Sequence, residues 1–389
     1  MFWTHLVLVG YMGASMESLD SRDKDGGTSL AFYAKYVIRG NYVIGSTGLR
    51  FTGSGSINIS GLPSSPEIVK AYLIYSVVAS SSQPQGFING TPLSGVLVGS
   101  GPSPCWTESF VYTYVADVTP VVQSVGNGTY TLTGFYNPGG DPPPGGAEGA
   151  TLVVIFCDQG NTVRSVVVYL GAYTLNFASG PSSYTWNLAN FIATNPVTSA
   201  RTTLIFADGQ DYWNESQFGI PCGLEYVYFN GYLIRSGQYG LPGGDGNLWD
   251  AVHIANAASY IPGGASSVSG SLSVDYDPSW GDCITTVGHI LSVSSTEAET
   301  YNCVLSSEEG FADGGLGLRV AGNRAFLSVP FPVNGSLRLY RSDGRFVGVL
   351  ADGKLSSCEI GLPRLEPGVY FLKLRTDIGE AWTKLAIGQ

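Results

Sequence analysis

The stretch Glu225–Asp250, EYVYFNGYLIRSGQYGLPGGDGNLWD, decides the fold class. A run of strand formers (Tyr226, Val227, Tyr228, Phe229) meets Asn230-Gly231, then a second run (Tyr232, Leu233, Ile234). Asn-Gly accepts positive φ at both central positions of a type I′ turn, so the stretch reads as a β-hairpin. The same order recurs at Gly86–Leu93, GFINGTPL, around Asn89-Gly90. After each hairpin come a Gly-rich loop, an aspartate beside hydrophobic residues (Asp117 in YVADVTPVV, Asp250 in LWDAVHI) and a closing apolar strand. The closing strands are Thr151–Phe156, TLVVIF, and Cys283–Val293, CITTVGHILSV. The chain therefore reads as two copies of one β-module.

Working outward, 389 residues leave room for further domains. The expected organisation is a signal-like segment over 1–15, an N-terminal linker and strand over 16–51, and sandwich modules over 52–160 and 161–295. A linker over 296–315 and a C-terminal Ig-like module over 316–389 complete it. The fold class is all-β: tandem jelly-roll-like β-sandwiches followed by a small Ig-like sandwich. In the C-terminal part, Leu337–Tyr340 and Phe346–Leu350 flank the turn signal Ser342-Asp343-Gly344, and GVYFLKL and WTKLAI close the set. Val163–Leu170, VRSVVVYL, is nearly continuous apolar, so both its faces should be buried at the join between the copies. Asn137–Gly149, rich in Pro and Gly, reads as a surface loop, and Trp186–Ile192 as a short helical turn.

Charged residues make up 13% of the chain, against roughly 25% in an average soluble protein, and Gly, Ser, Thr, Asn and Tyr fill the surface instead. A net charge of −11 and the lack of any Lys/Arg run argue against a nucleic-acid partner. No apolar run reaches the length of a membrane span.

Six cysteines, Cys105, Cys157, Cys222, Cys283, Cys303 and Cys358, form an even set without C-x-x-C, which points to disulfides rather than zinc. Spacing cannot choose the connectivity; the economical pattern is one bridge per module, Cys105–Cys157, Cys222–Cys283 and Cys303–Cys358, with buried free thiols as the alternative. Asp20, Asp23 and Asp25 have a spacing that could ligate calcium, though the full EF-hand pattern is missing. Calcium is the one cofactor left open. Asn58, Asn89, Asn127, Asn214 and Asn334 each begin an N-x-Ser/Thr sequon.

Two resemblances follow from short motifs. Leu339-Tyr340, Asp343-Gly344-Arg345, Leu365 through Phe371 (LEPGVYF) and Lys384-Leu385 resemble the sorting domain of type IX-secreted surface proteins, which implies export and an Ig-type module. Between Tyr42 and Val293 the chain resembles a surface-associated β-domain family of archaea and bacteria. The carriers are Ala71 to Tyr75, Asn89-Gly90, Asp117-Val118-Thr119, Gly149–Phe156, Asn230-Gly231, Asn247 to Asp250 and Gly281-Asp282-Cys283. That resemblance implies a β-sandwich and an extracellular setting, with no catalytic residues to carry over.

Chemistry is thin in the sequence. His5, His253 and His289 are the only histidines, and His289 sits in an apolar strand as a core histidine would. Asp208, Asp211, Glu215 and Glu225 could supply a glycosidase pair, but turn-capping is the commoner role, so no catalysis is expected. Trp106, Trp213, Trp249 and Trp280 are candidates either for stacking on sugars or for the core. The first functional reading is thus a non-catalytic extracellular structural protein, a self-assembling subunit of a cell-surface filament or layer. Its assembly strand would be Ser29–Ile44, with Phe32, Tyr33, Tyr36, Val37 and Ile38 donated to a neighbouring subunit or paired within the chain. The alternative is an adhesin or carbohydrate-binding protein, calcium-assisted, with glycans as partners.

Overall fold

In the computed structural model the described residues are 25–64, 66–106, 110–139, 145–158, 160–176, 181–209, 225–237, 241–245, 248–275, 283–301, 303, 317–321, 324–328, 333–356, 358–377 and 379–387. The proposed signal segment, Asp20 and Asp23 lie outside them.

The alternating strand patterns give β1 (Gly26–Gly48), β2 (Gly55–Ile59), β3 (Glu67–Ala79), β4 (Gln85–Ile88), β5 (Thr91–Ser94), β6 (Val96–Pro102), β7 (Phe110–Asp117), helix α1 (Thr119–Val125), β8 (Gly128–Thr133) and β9 (Gly146–Cys157). The second set is β10 (Val163–Asn176), β11 (Ser182–Leu188), β12 (Ala200–Ala207), β13 (Glu225–Phe229), β14 (Tyr232–Gly237), β15 (Trp249–Ile254), β16 (Val268–Val274) and β17 (Cys283–Ser294). The two sets share one topology. The small sheets run β2-β8-β4-β5 and β11-β16-β13-β14; the large ones run β1-β9-β3-β7, with β6 added at the edge, and β10-β17-β12-β15. Apart from the hairpins β4–β5, β6–β7 and β13–β14, consecutive strands alternate between the sheets, which is the winding of a jelly roll. The duplicated hairpins are its turns: Asn89 and Gly90 have φ of 48° and 75°, Asn230 and Gly231 of 49° and 81°. The aspartates, in contrast, are not equivalent. Asp117 ends β7, whereas Asp250 is the second residue of β15.

The two large sheets stack back to back and place the small sheets outermost. Alternation along single strands makes this visible. On β9, Leu152, Val154 and Phe156 face the first roll's own core, while Val153, Ile155 and Cys157 face the second roll. On β10, Val167, Tyr169 and Leu175 face the core of the second roll, while Val166, Val168 and Leu170 turn to the first. Both faces of these strands are dry, as the continuous apolar run at 163–170 requires.

Strand β1 serves both rolls. Residues 26–39 pair with β10 and residues 40–48 with β9, so one long strand changes partner at Arg39/Gly40. Ser29–Ile44 therefore pairs within its own chain, the second of the two alternatives open for this strand. The physical reason is proximity: β9 and β10 follow each other in the chain, and a single strand antiparallel to both satisfies the ladders of both. Residues 296–301 do not hang free as a linker. Thr300 exchanges hydrogen bonds with the Val37 backbone, Lys35 and Arg39 pair with Glu297 and Glu299, and Tyr301 Oη donates to Glu67 at 3.0 Å. Two local expectations are also corrected. Gly146–Gly149 is buried strand rather than surface loop, and Ser182–Leu188 is strand rather than helical turn.

The C-terminal module comprises β18 (Gly317–Ala321), β19 (Arg324–Ser328), β20 (Val333–Arg341), β21 (Phe346–Leu355), β22 (Cys358–Gly361), β23 (Gly368–Thr376) and β24 (Gly379–Ile387). A three-stranded sheet β18-β19-β22 faces a four-stranded sheet β21-β20-β23-β24 across Leu318, Leu327, Leu337, Leu339, Leu372 and Leu374. This is a small Ig-like sandwich.

Candidate functional site

Two buried carboxyls and one buried cation meet where the two rolls stack. Arg50 follows the end of β1, Glu148 lies in β9 and Asp208 directly follows β12; none has more than 5% of its surface exposed. Arg50 Nη1 pairs with Glu148 Oε1, and its guanidinium lies 3.8 Å from the ring centre of Trp106, which leads in from β6. Trp106 Nε1–H donates to Asp208 Oδ2 at 2.9 Å. One cation thus faces two carboxyls from different rolls. Burial raises Glu148 far above the ordinary carboxylate range; Arg50 opposes that rise and Asp208 adds to it. Burial raises Asp208 too, with Arg50 and the Trp106 hydrogen bond opposing. Glu148 Oε2, Asp208 Oδ1 and Arg50 Nε and Nη2 have no hydrogen-bond partner. With one cation for two carboxyls, Glu148 keeps its proton near neutrality, because ionising both acids would leave one negative charge unbalanced in a dry interface.

Around this centre the joint is closed by polar contacts. Tyr42 of β1 is fully buried and shares a 2.9 Å hydrogen bond with Thr203 of β12, while Arg201 Nη1 donates to the Tyr42 carbonyl at 2.7 Å. Trp249 of β15 packs on Gly149 of β9 and donates its indole N–H to Thr151 at 3.0 Å. Asp250 beside it accepts the N–H groups of Gly243 and Gly244, and is pushed up to about 6 by burial, so its job is to hold the Gly-rich loop.

Two disulfides cross the joint. Cys105 pairs with Cys283 and Cys157 with Cys303. This corrects the one-bridge-per-module pattern: stacking brings the β6–β7 connection against β17, and β9 against the segment after β17. Cys222 lies outside the described residues, and of Cys358 only the backbone is described. Disulfides are the mark of a chain that matures in an oxidising, non-cytoplasmic compartment. No helix among the described residues is long and apolar enough to cross a membrane.

The remaining sequence candidates fall elsewhere. Asp25 accepts the Asn176 N–H at 2.8 Å. Among the described residues no group of three potential metal ligands converges. Glu225 is buried at the start of β13, and Asp211, Glu215, Trp213 and Trp280 lie outside the described residues. Trp249 is core. His289 is a satisfied core histidine: its Nδ1 accepts from Trp186 at 2.9 Å, its Nε2 meets Thr202 at 2.6 Å, and burial lowers it to about 3. His253 Nδ1 shares a 2.8 Å hydrogen bond with Thr203. Asn58, Asn89, Asn127 and Asn334 are all exposed, the last in β20; Asn214 is not among the described residues. Asn127 is tied through both side-chain atoms to Leu62, and Asn89 Oδ1 accepts the Thr131 N–H. Of the strand residues 32–38, Phe32 packs edge-on to Tyr169, Tyr33 edge-on to Tyr72, Tyr36 meets Tyr72 through their hydroxyls, and Val37 and Ile38 are buried.

Arg50 and Glu148 escaped the sequence reading, since each is a lone charge among uncharged neighbours. The available signal was Glu148 opening the apolar run 150–156, an acid placed where a buried strand begins.

No family model matches the chain, and no curated protein does. Solved structures with some likeness include the Parabacteroides merdae beta-glucuronidase, 16% identical over 54% of this chain and 27% of that one, at a TM-score of 0.18. A Ruminococcus gnavus beta-glucuronidase is 12% identical over 54% of this chain and 36% of that one, also at 0.18. The BSP domain of a biofilm-associated protein is 7% identical over 93% of this chain and 83% of that one, at 0.17. The chain thus spans about a third or less of the length of the glucuronidases it matches in part. The expectation that the chain is not an enzyme is withdrawn on this finding, because the matched structures include glycoside hydrolases. At these TM-scores the likeness carries no substrate or reaction to this chain.

Proposed function

We propose that the chain is an extracellular structural protein, a rigid building block of a cell-surface layer or filament. The observation that carries this reading is the pair of disulfides that tie the first jelly roll to the second and to the segment that leaves it, Cys105–Cys283 and Cys157–Cys303. A shared strand, buried hydrogen bonds across the joint and two covalent staples leave the rolls no hinge, which suits a block that bears load rather than one that opens and closes. Self-assembly is supported by β21, an edge strand of the C-terminal module with Phe346, Val347 and Val349 exposed at 53%, 42% and 51%. Such an edge invites pairing with another chain. Electron microscopy and sedimentation of the secreted full chain test the proposal: regular polymers are expected, and a monodisperse monomer at every concentration contradicts it.

A further inference from the structure

The outer sheet of the second jelly roll presents a solvent face with no charged side chain from β11, β13 or β16, the exposed Arg235 standing on its edge strand β14. Alternation fixes what points outward. Tyr184, Trp186, Leu188, Val227, Phe229, Leu272 and Val274 fill the core, so their neighbours face solvent. Register then aligns them across the strands, Thr185 beside Ser271 beside Tyr228, and Ser273 beside Tyr226, with Asn187 on the row beyond Thr185. Both tyrosines are partly exposed, and Tyr226 donates its hydroxyl to Asp275 at 3.2 Å, which holds its ring at the end of the row.

We propose that this face binds a neutral polysaccharide chain. The two tyrosines project from one side of β13 roughly 7 Å apart, a spacing set by the two-residue repeat of the strand. Their rings offer apolar surface to the CH faces of pyranose rings, with a phenol at the tip of each. Serine and threonine hydroxyls and the Asn187 amide both donate and accept, as sugar hydroxyls do, and their small size lets an extended chain lie flat. Charge complementarity selects the occupant. A face whose charges are confined to its margins, Asp275 after β16 and Arg235 on β14, on a chain of net charge −11, offers little to a nucleic acid, an acidic polymer or an anionic membrane. Protein partners favour interface cores of large aromatic residues, Met and Arg, from which serine is depleted. This surface lies on the opposite side of the roll from the joint, so it goes beyond the structural role and would anchor the block to a glycan.

The test is affinity electrophoresis of the full chain through gels containing a soluble neutral glucan, xylan or galactomannan, with pull-down on microcrystalline cellulose and chitin. The expected result is retention on at least one of these that persists in about 1 M NaCl, where charge attraction is screened within roughly 3 Å. Tyr226→Ala/Tyr228→Ala and, separately, Ser271→Lys are each expected to weaken it about tenfold or more. The substituted side chains point outward, and an unchanged melting temperature confirms that the variants are folded. Absence of retention on every polymer, retention abolished by salt, or equal retention of wild type and both variants overturns the proposal. Self-association lost in the same variants assigns the face to a second copy of the chain and likewise overturns it.

Discussion

Trp249 of the second jelly roll stands on Gly149 of the first, and its indole N–H reaches Thr151 two residues further along the same strand. A Cβ at position 149 would fall inside the Trp249 side chain, so only glycine lets the two large sheets approach this closely here. Gly149→Ala is expected to lower stability by about 1–3 kcal/mol, the usual range for overpacking a core. Gly348→Ala, where an added Cβ meets nothing within 4 Å, should leave the melting temperature unchanged. Scanning fluorimetry of the two variants against wild type checks this; equal effects would show that Trp249 does not sit on Gly149.

The buried carboxyls set a direction for pH dependence. Glu148 is raised in the folded chain above its unfolded value of roughly 4.3, so the stability it contributes is fully present below that value and is lost as pH rises through the folded one. His289 runs the other way: lowered to about 3, it contributes stability that is present above roughly 6.5 and lost as pH falls. Above neutrality only the carboxyl effect remains of these two. Glu148→Gln keeps the shape of the protonated acid and cannot ionise. Between pH 7 and 9 the wild type is therefore expected to lose melting temperature faster than the variant; parallel curves would show that Glu148 is already ionised in the folded protein.

Asn230→Pro is expected to damage the second roll well beyond any change in an exposed loop. Proline cannot take the φ of 49° found there, and it removes both the backbone N–H given to Ser269 and the side-chain donor to the Tyr260 carbonyl. Asn230→Gly, which keeps the turn, should cost far less. Thermal unfolding separates them, and similar losses for the two would mean that the φ at this position is not what matters.

How legible this was in the sequence varied with the range of the interaction. The hairpins at Asn89-Gly90 and Asn230-Gly231 were readable because a type I′ turn is chosen by its own two residues. The buried run at 163–170 was readable because a strand with no polar face has only one place to go. The duplicated topology was traceable through the closing strands, yet Asp117 and Asp250 misled, since a lone acid beside hydrophobic residues says nothing of which end of a strand it occupies. What could not be read was the stacking of one roll on the other. Arg50, Glu148 and Asp208 are separated by 98 and 60 positions, and their meeting depends on how two finished sandwiches pack. The cysteine pairing failed for the same reason: a per-module pattern presumes side-by-side modules, and back-to-back sheets bring different cysteines together. Strand β1 looked surplus to the repeat, and its first half is; that surplus is what couples the rolls.

Stapling across the joint should make the two rolls unfold as one. Cys105→Ser and Cys157→Ser each open a closure of more than a hundred residues, with sequence separations of 178 and 146. Each is expected to cost roughly 2–5 kcal/mol. Calorimetry of the wild type should show one transition for the double roll. Two independent transitions with both bridges intact would mean that the rolls are separate cooperative units.

The most direct test of the back-to-back arrangement is mass spectrometry of proteolytic peptides from the unreduced protein. Cross-linked peptides joining Cys105 to Cys283 and Cys157 to Cys303 are the expected result. A bridge from Cys105 to Cys157, confined to the first roll, or free thiols at these four positions, would contradict the stacking on which the whole description of the joint rests.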